Sequence, residues 1–316
     1  MAIRAASAGH LLSAQRARRG AVRRLYALAA ALAAAALAPA AARAQDPADL
    51  PPPQGDQPTS IRGIDLLQKR SYWEGSAAAR PFVSAVMEFG ALYFRPNLAI
   101  GYGRPHWSWI GVEGYSGVST SGGSDYVGVR VALPQLEIRG GARYAFPLAQ
   151  YLLLPREEYM REDTELKLGP RSRYVSAEVE IAGSIPFLGG SLFGVATGYA
   201  IVGTQDGYYV YEEALHTVIN PPFLYRARLG YLGQLDAYGE LRLGAAAEIL
   251  GNPGRDSTLV RLGPVVSVTL THHLDAIGAV MIVAASPDQL GLLGADLGQL
   301  GLRYKWSTGD RWPDFP

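Results

Sequence analysis

The chain has 316 residues, is 48% hydrophobic and contains 37 Gly, 21 Pro and no Cys, with a formal net charge of +1. This composition excludes collagen-like, disulfide-stapled and wholly disordered chains. The lack of Cys also excludes thiol catalysis, Cys-based metal sites and a lipid-modified leader.

The net charge conceals two unlike regions. Met1 to Ala44 holds seven Arg and no acid. Its basic stretch ends at Arg24, an Ala/Leu-rich run follows, and Ala42-Arg43-Ala44 makes a small-x-small pattern before Gln45, so residues 1–44 read as a cleaved secretory signal peptide. The apolar run, about 16 residues, falls short of the roughly 20 that a spanning helix needs. Without this leader the chain carries a net charge of about −6, which removes the electrostatic basis for nucleic-acid binding.

Residues 45–80 are rich in Pro, Gln, Asp and Ser and read as a periplasmic linker, within which 61–70 could form a short plug helix. From Pro81 the apolar period becomes two, as in strands with distinct faces. Val175, Ala177, Val179 and Ile181 alternate with Ser176, Glu178 and Glu180; Leu241, Leu243, Ala245, Ala247 and Ile249 alternate with Arg242, Gly244, Ala246 and Glu248. Twelve such segments follow, near 82–93, 97–103, 106–117, 125–133, 135–145, 173–185, 190–202, 223–233, 236–250, 258–270, 275–285 and 293–306. Short links near 104–105, 134, 186–189, 234–235 and 272–274 alternate with longer ones at 119–124, 146–172, 203–222, 251–257 and 286–292. Long strands with alternating short and long connections predict an all-β fold. It is a single transmembrane antiparallel up-and-down β-barrel of about twelve strands over 81–306, with a periplasmic tail at 307–316. Closure leaves no unpaired edge, and lipid accepts the apolar outer band.

The last segment, Gln299-Leu300-Gly301-Leu302-Arg303-Tyr304-Lys305-Trp306, fits a pattern of polar, x, Gly, x, x, aromatic, x, aromatic. On this motif the chain resembles the outer-membrane β-barrel proteins of Gram-negative bacteria. The resemblance implies that Gln299, Gly301, Tyr304 and Trp306 form an assembly signal read by the barrel-insertion machinery. Outer-membrane lipid and lipopolysaccharide are the implied surroundings. Tyr304 and Trp306 would stand in one aromatic girdle, with Tyr144, Phe146, Tyr174, Phe223 and Tyr225 in the other.

Taking the polar faces as inward gives Arg130, Arg139, Arg143, Arg226, Arg228, Arg242, Arg261, Arg303 and Lys305 against Glu88, Glu113, Glu137, Glu178, Glu180, Asp236, Glu240 and Glu248. This near balance argues against a ring of one sign. Facing walls of opposite charge and a lumen closed by ion-pair ladders both remain open. Symmetric pairing about Gln234 would set Arg228 against Glu240 and Arg226 against Arg242. The small column Gly194, Ala196, Gly198, Ala200 is expected to let a loop pack inside the barrel.

Of the two long loops, 203–222 holds Tyr208, Tyr209, Tyr211, Glu212, Glu213 and His216, a set able to stack on a sugar, constrict the mouth or pack on itself as a cover. The loop 146–172 carries a mixed charge run. No serine is tied by motif to His216, and no Gly-rich phosphate loop opens a helix, so no enzymatic activity and no cofactor are expected. The leading expectation is a narrow channel for passive diffusion of small polar solutes; the alternative is a non-conducting surface barrel with a salt-bridged lumen.

Overall fold

A computed structural model describes residues 78–308, apart from 91–92, 120–121, 149, 167–168, 236–239, 272 and 297–299. The expected leader, nearly all of the linker, residues 309–316 of the tail, Gln299 and Asp236 lie outside the described residues.

Alternating side chains build one closed antiparallel sheet. Its strands are β1 (Arg80–Gly90), β2 (Tyr93–Arg104), β3 (Ser108–Ser119), β4 (Gly122–Ala132), β5 (Leu136–Pro147), β6 (Tyr174–Phe187) and β7 (Gly190–Val202). After a short hairpin, β8 (Val210–Glu212) and β9 (Thr217–Ile219), the wall resumes with β10 (Phe223–Gln234), β11 (Leu241–Asn252) and β12 (Ser257–Thr269). It ends with β13 (Leu274–Ala279), β14 (Ile282–Ala285) and β15 (Gly301–Ser307). β15 pairs with β1 and closes the ring. β13 and β14 both pair with β12 as two halves of one wall strand, so the barrel has twelve strands.

The outward positions are apolar. Leu98, Ile100, Val127, Val129, Val179 and Leu229 are all exposed on the outer face, where a protein in water would hide them. A closed barrel wearing such a band is a transmembrane β-barrel. Tyr144, Phe223, Tyr304 and Trp306 sit on outward positions near strand ends. Tyr174 does not join them: it points inward, fully buried, because its hydroxyl donates to Glu212.

Three further expectations are corrected. The hairpin after β10 pairs Arg228 with Glu248, Arg226 with Leu250 and Gln234 with Arg242. The turn is longer than symmetric pairing about Gln234 requires, which leaves Glu240 in the turn rather than on the wall. The column Gly194, Ala196, Gly198, Ala200 faces outward, because Thr197 shares the inward rung of Arg226. The final strand begins at Gly301, and residues 291–294 form a 3-10 turn instead. The segment leaves the wall because two lumenal arginines need acceptors: the Gly294 carbonyl accepts from Arg261 Nε at 2.7 Å, and the Asp296 carboxylate accepts from Arg228 at 2.7 Å.

The eleventh wall strand is interrupted between Ala279 and Ile282, opposite Gly263, and its pairing with β12 shifts register further along, between Val260 and Arg261, opposite Val283 to Ala285. Such a bulge bends a strand and re-aims its side chains. At the interruption the backbones approach so closely that a Cβ on Gly263 would stand 1.7 Å from the Val280 carbonyl oxygen. Gly263→Ala is expected to destabilise the barrel by about 1–3 kcal/mol through overpacking, read as a lowered midpoint of urea unfolding in detergent.

Candidate functional site: the lumen and its plug

Inward rungs carry the charges, and neighbouring strands pair them. Arg130 donates to Glu113 at 2.8 Å and to Glu137, and Arg139 lies 3.0 Å from Glu180, which Arg226 approaches at 3.5 Å. Arg303 meets Glu88 at 2.9 Å, and Arg95 shares the same carboxylate. Lys305 pairs with Asp275. Arg139, Arg143, Glu178, Glu180, Arg226, Arg228, Arg242, Arg261 and Arg303 all stand on inward positions.

On one side of the ring, Glu248 is the hub. It is buried on β11 and accepts from Arg228 Nε at 2.8 Å and from Arg261 Nη1 at 2.7 Å. Arg261, only 1% exposed, spends its remaining donors on loop carbonyls, reaching Leu215 O at 2.7 Å and His216 O at 2.9 Å. The wall thereby grips the tip of the β8–β9 hairpin.

The other side of the ring grips the same tip. Arg143 on β5 places both Nη atoms 3.1 Å from the two oxygens of Glu212, and Tyr174 on β6 donates to that carboxylate. Glu213 accepts from the Ser119 hydroxyl on β3 at 2.7 Å. Since β3 and β5 lie far around the ring from β12, residues 212–216 cross the lumen. The hairpin brings its own core: Val210, Val218 and Ile219 are buried, with Leu152, Leu224, Leu250 and Leu259 packed into the same apolar clusters.

The other long loops lock this plug from outside. Leu153 and Tyr209 exchange backbone hydrogen bonds at 2.8 Å, and Tyr211 donates to Leu293 O at 3.0 Å. Arg255 joins Asp288 through two hydrogen bonds of 2.7 Å. The charged stretch of the loop 148–173 contributes a short helix, α1 (Arg161–Glu165), on the exterior. Tyr208 and Tyr209 pack against the apolar clusters and Tyr211 is buried, so these rings belong to the plug's interior. His216 lines a cavity of about 150 Å³ with Thr217, Ser286 and Asp288.

Burial governs the protonation of the plug. Burial alone would raise the Glu212 carboxyl; Arg143, aided by Tyr174 and the Ala214 amide, outweighs it and holds the group below the usual carboxylate range. Burial pushes the His216 imidazole below its ordinary value, and Arg261 adds to that while Asp296 and Glu213 oppose it. Burial also drives the Tyr159 phenol up to about 12.

Sequence reasoning missed Arg95, Asp275 and Asp296, and it singled out Glu212 without its partner. Arg95 falls in a gap between two expected segments, although its phase with Tyr93 and Asn97, between the outward Phe94 and Leu98, was a signal. Glu212 and Asp296 lie in a loop and in an expected strand, and only the folded chain brings them to Arg143 and Arg228. Of the expected assembly signal, Gly301 is pressed against β1, where a Cβ would stand 2.5 Å from Phe89 O. Carbonyls of the same strand are held at its inner end, Trp306 O by His106 at 2.9 Å and Lys305 O by His273 at 2.8 Å.

No family model and no curated protein matches the sequence. Among solved structures, the chain is similar to the NanC porin at 9% identity and TM-score 0.34, over 72% of this chain and 97% of that one. It is similar to the KdgM porin at 7% identity and TM-score 0.34, over 72% and 96%. It is also similar to the beta domain of the Bordetella autotransporter BrkA at 12% identity and TM-score 0.31, over 73% and 98%.

Proposed function

We propose that the chain is an outer-membrane, porin-like channel for passive diffusion of small polar solutes, narrowed at its outer mouth by the inward-folded β8–β9 hairpin. The supporting observation is that the plug covers only part of the wall. Arg143, Arg228 and Arg261, on β5, β10 and β12, are buried beneath it. Arg95, Arg130, Arg139 and Arg303, on the arc from β15 through β1 to β5, remain partly open to solvent. Lipid and lipopolysaccharide would contact the apolar outer band, and solute would travel along the uncovered arc.

A second reading, a non-conducting surface barrel, is favoured by the lumen-crossing tip. Single-channel recording of the refolded protein separates the two. The channel reading expects small, reproducible steps. It also expects a several-fold larger conductance when residues 211–217 are replaced by a short Gly-Ser turn, since pore conductance follows the open cross-section. Silence from both proteins, each shown to be folded by heat-modifiable migration, would establish the closed barrel instead.

A further inference from the structure

The uncovered arc carries a charge asymmetry that residue counting does not reveal. Four arginines there face four carboxylates, Glu88, Glu113, Glu137 and Glu180, so the formal sum is zero. Their depths differ. Arg95 is 40% exposed against 14% for Glu88, Arg130 is 23% exposed against 0% for Glu113, and Arg139 is 28% exposed against 12% for Glu180. Arg303 repeats the order, at 38% against 14% for Glu88. In each of these arginine pairs the cation is the more exposed group and the anion lies behind it; Lys305, at the inner end of β15, reverses the order, at 6% against 14% for Asp275.

Aromatic rings hold the guanidiniums in that position. The Arg95 Cζ lies 5.5 Å from the Tyr93 ring and 5.4 Å from the Tyr115 ring, Arg130 lies 5.5 Å from Trp109, and Arg139 lies 5.9 Å from Tyr126. Tyr115 and Tyr126 stack on each other at 4.9 Å, making a rigid backing. A cation on a ring face is held in place without being neutralised.

The charges form two levels. Arg303, Glu88 and Arg95 share one rung across β15, β1 and β2. Arg130 and Arg139 share another across β4 and β5, and that rung crosses β3 at Gly111 and β2 at Gly101. Gly101 lies six positions along β2 from Arg95, which is about 20 Å along a strand. At both levels guanidinium is therefore more accessible from the lumen than carboxylate, and at separations shorter than a Debye length salt screens little of that difference.

We propose that this arc is an anion path, taking small inorganic anions and small carboxylates in preference to cations. The proposal rests on the channel reading above. Its test is the reversal potential of the refolded barrel in a potassium chloride gradient, using the Gly-Ser turn variant if the intact protein's steps are too small to resolve. The expected result is a chloride-to-potassium permeability ratio above 1. It should fall by about threefold or more in Arg95→Gln/Arg303→Gln and in Arg130→Gln/Arg139→Gln, because each removes the cation and leaves its carboxylate. Arg95→Lys should keep most of the preference, and Arg161→Gln, on the exterior helix α1, should leave it unchanged. A conducting barrel with a ratio of 1 or less overturns the anion path while the channel stands. A folded barrel that never conducts, with or without its plug, overturns both.

Discussion

Glu248→Ala is expected to lower the unfolding free energy of the barrel by about 3–5 kcal/mol, the range for a buried ion pair broken by removing one partner. The carboxylate is fully buried and serves both Arg228 and Arg261. Without it Arg228 retains Asp296 at 2.7 Å, but among the described residues Arg261 keeps only the neutral carbonyls of Gly294, Leu215 and His216. A guanidinium confined there with no anion carries the full cost of its desolvation. Glu248→Gln keeps acceptor geometry without the charge, so it should cost about half as much. The measurement is the urea midpoint and slope for the refolded barrel in micelles. A loss under about 1 kcal/mol for the alanine variant would mean that Arg261 is anchored by its carbonyl partners alone.

Acidification is expected to release the hairpin. Glu212 is held below its ordinary value of 4.5 in the docked state. Its contribution is thus fully present above that value and disappears as pH falls through the lowered docked value. His216 has the opposite charge on protonation, but its pKa is also held below its ordinary 6.5. The undocked form therefore takes up the proton first, and docking weakens as pH falls below 6.5. The two groups act in the same direction, His216 first and Glu212 further into acid. A tenfold difference in proton affinity between the docked and undocked forms corresponds to about 1.4 kcal/mol, and so to a factor of ten in the docking equilibrium. Dwell times in single-channel records should show the wider state several-fold more populated at pH 5 than at pH 7.5. His216→Gln should flatten the response above pH 5. Glu212→Gln should populate the wider state at all pH values, because Arg143 loses the carboxylate that ties it to the hairpin. A wider state that becomes rarer in acid would contradict the assignment of both groups.

Much of the wall was legible in the sequence. Alternation with period two assigns a face to each residue of a strand without knowledge of its neighbours, because successive side chains point to opposite sides. That placed Glu178 and Glu180 inward and Val179 outward, and it placed Tyr304 and Trp306 on the outer face. Link lengths supplied the up-and-down order. The same local rule failed where a face pattern ran past the end of a strand. The expected turn lies at 234–235 with the return strand starting at 236, because the sequence offers no break in phase before Leu241. The return strand starts at Leu241, and so the register of Arg228 was misplaced. In β7 neither face carries a charge, and only the pairing of Arg226 with Thr197 settles that the larger face of Phe193, Thr197 and Tyr199 points inward.

What the chain alone determined was a strand-rich wall with one apolar and one charged face, because that property is local and repeats every second residue. Three things waited for the tertiary structure. Residues 290–296 leave the wall to meet Arg228 and Arg261, the loop 203–222 turns inward to place Glu212 on Arg143, and each of the four guanidiniums of the uncovered arc stands above its carboxylate. Each depends on groups far apart in sequence sharing one low-dielectric interior. There an unpaired charge is costly enough to redirect the backbone, and the depth of a side chain, rather than the count of charges, decides which sign the lumen presents.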